Sequence, residues 1–184
     1  MLLSAIERPR GPFLRLAYRL SRRQFGKVIT PLKVIYARKP RLAVIAGQIG
    51  RTLERGLSLE PELLLLVQVQ ASRLNGCTFC QDLALARAVR ERVGAERFAA
   101  LEDFRTSGRF TERERTALAV VEEATLHRRL SGETAARLRE HFTETEIVEL
   151  VWANAAENYF NLQAAVLGIE SDNLAALATA GDRG

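Results

Sequence analysis

"LEPELLLLVQVQASRLNGCTFCQDLALARA", residues 59–88, holds both cysteines of the chain, Cys77 and Cys80. In its first half, residues 59–74, apolar side chains surround most of the circumference of a helix. A helix opening at Ser58 is therefore expected to be central and buried. Asn75-Gly76 interrupts the pattern and supplies a tight turn, after which Cys77 begins a second helix running to about Arg92, with Gly94 just beyond. Thiols three residues apart on a helix occupy neighbouring positions of one face. At a helix start, unpaired N–H groups and the positive end of the macrodipole favour a thiolate and lower the thiol pKa.

Outward from this stretch the punctuation is helical throughout. Pro12 opens a helix with Phe13, Leu16, Ala17 and Leu20 on one face, and Gly26 ends it. Thr30-Pro31 reads as an N-cap followed by proline at the first helical position. Pro40 opens a segment in which Leu42, Ile45, Ile49 and Leu53 keep helical spacing, closed by Gly56. "AERFAALEDF" is a short helix. Thr111 with Glu114, and Thr143 with Glu146, match the capping box and start helices at about 112–127 and 144–167. A shorter helix lies between them at about 132–141, and "SDNLAALATA" adds a last turn or two. No alternating strand pattern competes, so the fold class is all-α, one compact domain of eight or nine helices.

The net charge of +5 is unevenly divided. Residues 1–53 hold twelve Lys/Arg and one acid, a balance of +11, whereas the remainder holds fifteen Lys/Arg and twenty-one acids, a balance of −6. Such a split describes a basic arm on a more acidic body. Docking of the arm on the body of its own or a neighbouring subunit is preferred over contact with nucleic acid or an anionic membrane, because no recognisable nucleic-acid motif accompanies the charge. Two cysteines do not make a stapled secreted scaffold, and no apolar run reaches membrane-spanning length, so a soluble cytoplasmic protein is expected.

The spacing of the thiols alone leaves three readings open: a redox dithiol, half a zinc site, or two buried structural thiols. Zinc is disfavoured because the two histidines, His127 and His141, are distant in sequence and sit at predicted helix ends, where a cation complements the dipole. No metal site is expected.

The flanks add more. "QASRLNGCTFCQDLALARA" resembles the CxxC signature of the carboxymuconolactone decarboxylase-like superfamily, in particular its alkylhydroperoxidase AhpD-like branch. "KPRLAVIAGQIGRTLERGLSLEPELLLLVQVQ" upstream, and "FTERERTALAVVEEATL", "LSGETAARLREHFTETEIVELV" and "ENYFNLQAAVLGI" downstream, look like that family's other helices. The likeness covers about 40–170, which divides the chain into a basic helical arm, 1–39, and an AhpD-like helical body, 40–184. It implies a homo-oligomer, trimer or hexamer, and an antioxidant peroxidase site cycling through a disulfide. Cys80 would attack peroxide and Cys77 would resolve it. No bound cofactor is implied, and reduction would come from an external dithiol, a lipoyl or thioredoxin-like partner. The lactone-decarboxylating branch generally lacks the CxxC.

Two departures matter. The family's proton relay uses a glutamate twelve residues before the first cysteine and a histidine four after the second, and those positions are Leu65 and Ala84. Gln68, one turn after Leu65, can hydrogen-bond but cannot act as an acid or base. Asp82 reads as an exposed dipole partner in the first turn of its helix. On the final long helix Asn154, Glu157, Asn158 and Asn161 share one face with Ile147 and Leu150, while Val148, Trp152, Ala155, Tyr159 and Val166 make an apolar opposite side. The polar group is either a structural network or a relocated site, with Glu157 as acid/base and the asparagines orienting substrate. The second functional reading is a non-catalytic helical oligomer, acting as a redox sensor or binding an acidic partner through its basic arm.

Overall fold

The computed structural model describes residues 1–181, and the last three residues of the expected body, 182–184, lie outside them. Among the described residues there are nine α-helices and no strand: α1 (Pro12–Phe25), α2 (Pro40–Arg55), α3 (Pro61–Leu74), α4 (Thr78–Arg90), α5 (Ala95–Ala99), α6 (Glu112–His127), α7 (Gly132–His141), α8 (Glu144–Leu167) and α9 (Leu174–Gly181). A π-helical turn, Leu32–Tyr36, joins α1 to α2, and a 3-10 turn, Ala100–Asp103, extends α5.

α3 is the axis of the fold. Its ten consecutive residues from Leu63 to Ser72 are all buried, as apolar side chains around most of its circumference require. One side, with Leu63, Leu64, Val67 and Ala71, packs against Ala117, Val120 and Val121 of α6, Leu138 of α7 and Leu150 and Ala153 of α8. The other side, with Leu65, Leu66 and Val69, packs against Ala84 and Ala88 of α4, Phe98, Leu101, Phe104 and Phe110. The helix begins at Pro61 and not at Ser58. Proline at the first helical position lacks only a hydrogen that would have no partner there, and Ser58 instead gives its N–H and hydroxyl to the Glu149 carboxylate of α8. Both capping boxes form, at Thr111/Glu114 and Thr143/Glu146.

Other local expectations shift. Thr30-Pro31 leads into the wide π turn, closed by the Ala37 N–H to the Leu32 carbonyl at 2.9 Å, because both polar groups of Thr30 are taken by a distant carboxylate. α4 stops at Arg90, and Arg92 in the left-handed region (φ 58°) turns the chain before Gly94 is reached. Asp82 is not an exposed partner of its own helix. It is buried, and its two carboxylate oxygens accept the N–H groups of Leu174 and Ala175 at 2.8 and 2.9 Å, capping the first turn of α9.

The N-terminal segment lies along the body. The Leu2 N–H donates to the Leu167 carbonyl at 2.8 Å, and the Tyr18 hydroxyl to the Ile6 carbonyl at 2.6 Å. The main tie is the buried Asp172, which accepts the Thr30 N–H at 2.6 Å and the Thr30 hydroxyl at 2.8 Å, and pairs with Lys27 at 3.0 Å. By contrast Arg15, Arg19, Arg22 and Arg23 of α1 face solvent. No helix among the described residues is long and apolar enough to cross a membrane.

Removing a partner from a buried charge-assisted cluster costs about 2–4 kcal/mol. Asp172→Ala is accordingly expected to lower stability by about that amount in urea denaturation, and to open residues 8–39 to limited trypsin digestion while the rest of the chain resists. An unchanged digestion pattern would mean that the arm is held elsewhere.

Candidate active site

The thiol turn is built by α3 and α4 together. Gly76 takes φ +64°, a conformation that L side chains rarely adopt, and reverses the chain. The Cys77 N–H then returns to the Ser72 carbonyl at 2.9 Å. Cys77 becomes the N-cap of α4, its sulfur accepting the Cys80 N–H at 3.3 Å, and the two cysteines are disulfide-bonded with Cα atoms 5.3 Å apart. Both are buried within a cluster that includes Phe79, Val34, Ala164, Ile169 and Leu174.

They differ in what they face. Cys80 lines a cavity of about 630 Å³, and Cys77 does not. The cavity runs between α4 and α8 on one side and α1, the π turn and α2 on the other. Besides Cys80 its lining includes Gln68, Glu157, Phe79, Ala84 and Phe160; Tyr36, Leu16, Leu20 and Val44 also line it. Of the expected supporting residues, Gln68 and Glu157 therefore share the cavity with Cys80, whereas Asn154, Asn158 and Asn161 do not line it.

The asparagines form a chain of hydrogen bonds across the helix contacts. Asn75 at the end of α3 donates to Asn158 and Asn161, each at 3.0 Å. Asn158 donates to the Asn154 carbonyl at 2.8 Å and to Thr125 of α6 at 3.2 Å. Glu157 sits at the cavity end of this chain, accepting Ser72 Oγ at 2.9 Å and Asn161 Nδ2 at 2.8 Å. Burial pushes its pKa up to about 7, against the opposing effect of those two donors. Glu157 is thus poised to exchange a proton near neutral pH beside a cavity that contains a sulfur.

Ser72 was not singled out by sequence reasoning, yet its carbonyl holds Cys77 and its hydroxyl holds Glu157. The signal was available: Gln68, Ser72 and Asn75 repeat at helical spacing on an otherwise apolar helix. Leu65 is completely buried in the same apolar cluster as Ala84, so the two positions where the resemblance would place a relay are filled by hydrocarbon that packs together. His127 ends α6 and His141 ends α7, where its carbonyl accepts Arg113; neither lines the cavity.

Comparison with known proteins supports the fold. Residues 50–123 match the model of the carboxymuconolactone decarboxylase family. YnjA of Escherichia coli K12 is 28% identical over 133 residues, 71% of this chain and 72% of that protein. The fold matches the debrominase Bmp8 (apo) at a TM-score of 0.80 and 22% identity, over 97% of each chain. It also matches the alkylhydroperoxidase AhpD core of a peroxidase-related protein from Ralstonia eutropha JMP134 at 0.76 and 15% identity, over 93% of this chain and 95% of that one. The architecture is therefore all-α and AhpD-like.

Because folding raises the Glu157 pKa above its ordinary 4.5, the folded chain holds an extra proton between about 4.5 and 7. Stability is greatest below that window and declines as pH rises through it. The melting temperature of wild type is expected to fall between pH 5 and 8, and Glu157→Gln is expected to flatten that fall. An identical pH dependence in the variant would mean that Glu157 enters the fold already ionised.

Proposed function

We propose that this chain, which carries a carboxymuconolactone decarboxylase family domain in an AhpD-like fold, is an antioxidant enzyme that reduces peroxides through a Cys80/Cys77 dithiol–disulfide cycle. The observation that carries the reading is the asymmetry of the pair: Cys80 lines a cavity with a protonatable Glu157, and its disulfide partner is walled off. In the reduced protein the Cys80 thiolate attacks one peroxide oxygen. The O–O bond breaks, the other oxygen leaves as alcohol or water with a proton relayed from Glu157, and Cys80 becomes a sulfenic acid. The Cys77 thiol then attacks that sulfur, water leaves and the disulfide forms. An external lipoyl or thioredoxin-like dithiol supplies the two electrons that restore the thiols. The N-terminus of the thirteen-residue α4 supports the thiolate. Glu157 stands in for the missing relay from α8, with Gln68 as a hydrogen-bonding neighbour and Asn161 and Ser72 orienting the carboxylate. Asn154 and Asn158 hold that arrangement in place from behind.

Cys80→Ser is expected to abolish peroxide consumption. Cys77→Ser should consume about one equivalent, accumulate a trappable sulfenic acid and fail to turn over with a dithiol donor. Glu157→Gln should slow turnover by about 10²–10⁴-fold. Wild-type protein that consumes no peroxide with any dithiol donor would exclude the enzyme and leave the second reading. That reading, a redox-responsive helical oligomer without turnover, is favoured by the apolar side chains at Leu65 and Ala84.

Self-association is part of either reading. One face of α8 exposes Val148 (68%), Val151, Trp152, Ala155, Leu162 (67%) and Val166 (65%) along a helix of 24 residues. We read this stripe as the surface of an interface, with a second copy of this chain as its occupant. Val148→Glu with Leu162→Glu is expected to convert an oligomer of trimer or hexamer size into monomer in light scattering, and an unchanged mass would move the interface elsewhere.

A further inference from the structure

The cavity is far larger than the chemistry of a peroxide group demands. Its volume of about 630 Å³ is about twenty times a water's share of the liquid, and falls within the ~300–1,000 Å³ of pockets that enclose a drug-sized organic ligand. Its lining is segregated. One wall is hydrocarbon contributed by the arm and α2: Leu16 and Leu20, each 54% exposed, with Phe13 and Val44. These side chains are exposed although α1 buries Leu14 and Tyr18, the latter in a cluster with Val28, Leu32 and Tyr36. Three arginines, Arg51, Arg87 and Arg90, also line it. Arg87 is neutralised by Glu91 at 2.6 Å. Arg51 and Arg90 enter no ion pair among the described residues, Arg90 lying over the Phe25 ring at 5.6 Å. Among the described residues Glu54 is the one carboxylate of the lining besides Glu157. An apolar trough with Cys80 in its lining and two guanidiniums outside any ion pair among the described residues fits an amphipathic anion.

We propose that the cavity binds long-chain carboxylates, the hydrocarbon chain lying against Leu16, Leu20 and Val44 and the carboxylate on Arg51 or Arg90, so that the substrates of Cys80 are fatty-acid-type hydroperoxides. The turnover half of this statement rests on the peroxide-reducing reading, whereas the binding half does not. Hydrogen peroxide would leave nearly all of the cavity filled only with water and gain nothing from its walls. A chain that fills it gains roughly two- to fourfold in affinity per buried methylene.

The test separates the two halves. Full-length Cys80→Ser, which cannot turn over, is titrated with a fluorescent polyene fatty acid, and saturated acids of eight to sixteen carbons are used to displace it. Affinity is expected to rise by about two- to fourfold per methylene until the cavity is full, and the alcohol of equal length to bind at least about tenfold more weakly, as the loss of a charge-assisted contact implies. Adding Arg51→Ala and Arg90→Ala should erase the acid–alcohol difference while keeping the chain-length slope, and adding Leu20→Glu should abolish the slope. No displacement at any chain length, a flat slope, or an acid–alcohol difference that survives loss of both arginines would overturn the proposal. In wild type, kcat/KM for a fatty-acid hydroperoxide should exceed that for hydrogen peroxide by at least about 10²-fold, as burial of several methylenes implies. Binding with the predicted slope but no turnover of any peroxide would sustain the site and remove the peroxidase.

Discussion

A helix with no solvent face has to be enclosed by others, and α3 imposes that condition on the whole chain. Ten consecutive buried residues, Leu63 to Ser72, leave no orientation in which α3 can lie on a surface. Helices α6, α7 and α8 close one side and α4 with the α5 region the other. The register of α3 therefore determines where its last turn ends. That turn carries Ser72, whose backbone oxygen receives Cys77 and whose side chain receives Glu157. The sulfur turn and the acid are held to one residue, so their mutual placement follows from core packing and not from loop geometry.

Two polar stripes make this arrangement specific. α3 presents Gln68, Ser72 and Asn75 at helical spacing, and α8 presents Asn154, Glu157, Asn158 and Asn161. Buried polar groups are costly unless each finds a partner, so the two helices have low energy only where the stripes meet. In the observed register Ser72 meets Glu157 and Asn161 while Asn75 meets Asn158 and Asn161, so each stripe supplies the partners of the other. The network accordingly serves as a registry device. Its end at the cavity wall, Glu157, then has a carboxyl group with two donors and little water, the condition that raises its pKa.

Much of this was legible beforehand because it is local. Proline at helix starts, two capping boxes, the Gly76 reversal and the all-round apolarity of α3 act within a few residues of themselves, and they resolved into the expected elements. What escaped depends on partners distant in sequence. Asp82 looked like an exposed first-turn acid because nothing near it in sequence predicts that α9, some 92 residues away, brings two unsatisfied N–H groups to it. Thr30 looked like an N-cap because Asp172 was not yet beside it. Glu157 and its asparagines were visible as a polar face, but periodicity alone could not divide that face. The cavity divides it, since Glu157 lines it and Asn154, Asn158 and Asn161 do not. The cavity itself is assembled from α1, the π turn, α2, α3, α4 and α8, and no local pattern encodes such a space.

Leu65 and Ala84, where the resemblance would place a relay pair, form one apolar contact. Leu65 is fully buried in a cluster with Ala84, Phe98 and Leu101, and a carboxylate placed there alone would have no donor and no water. An imidazole at 84 without that carboxylate would lack its partner, so the pair is stable only when both positions are polar or both are apolar. With both apolar, the α3–α4 contact is sealed, and among the described residues the one buried carboxylate lining the cavity with Cys80 comes from α8. An acid donated by α8 belongs to the same helix that carries the exposed Val148–Val166 stripe. Any partner seated on that stripe would bear on the helix that positions Glu157, which places the candidate acid and the candidate interface on one rigid element.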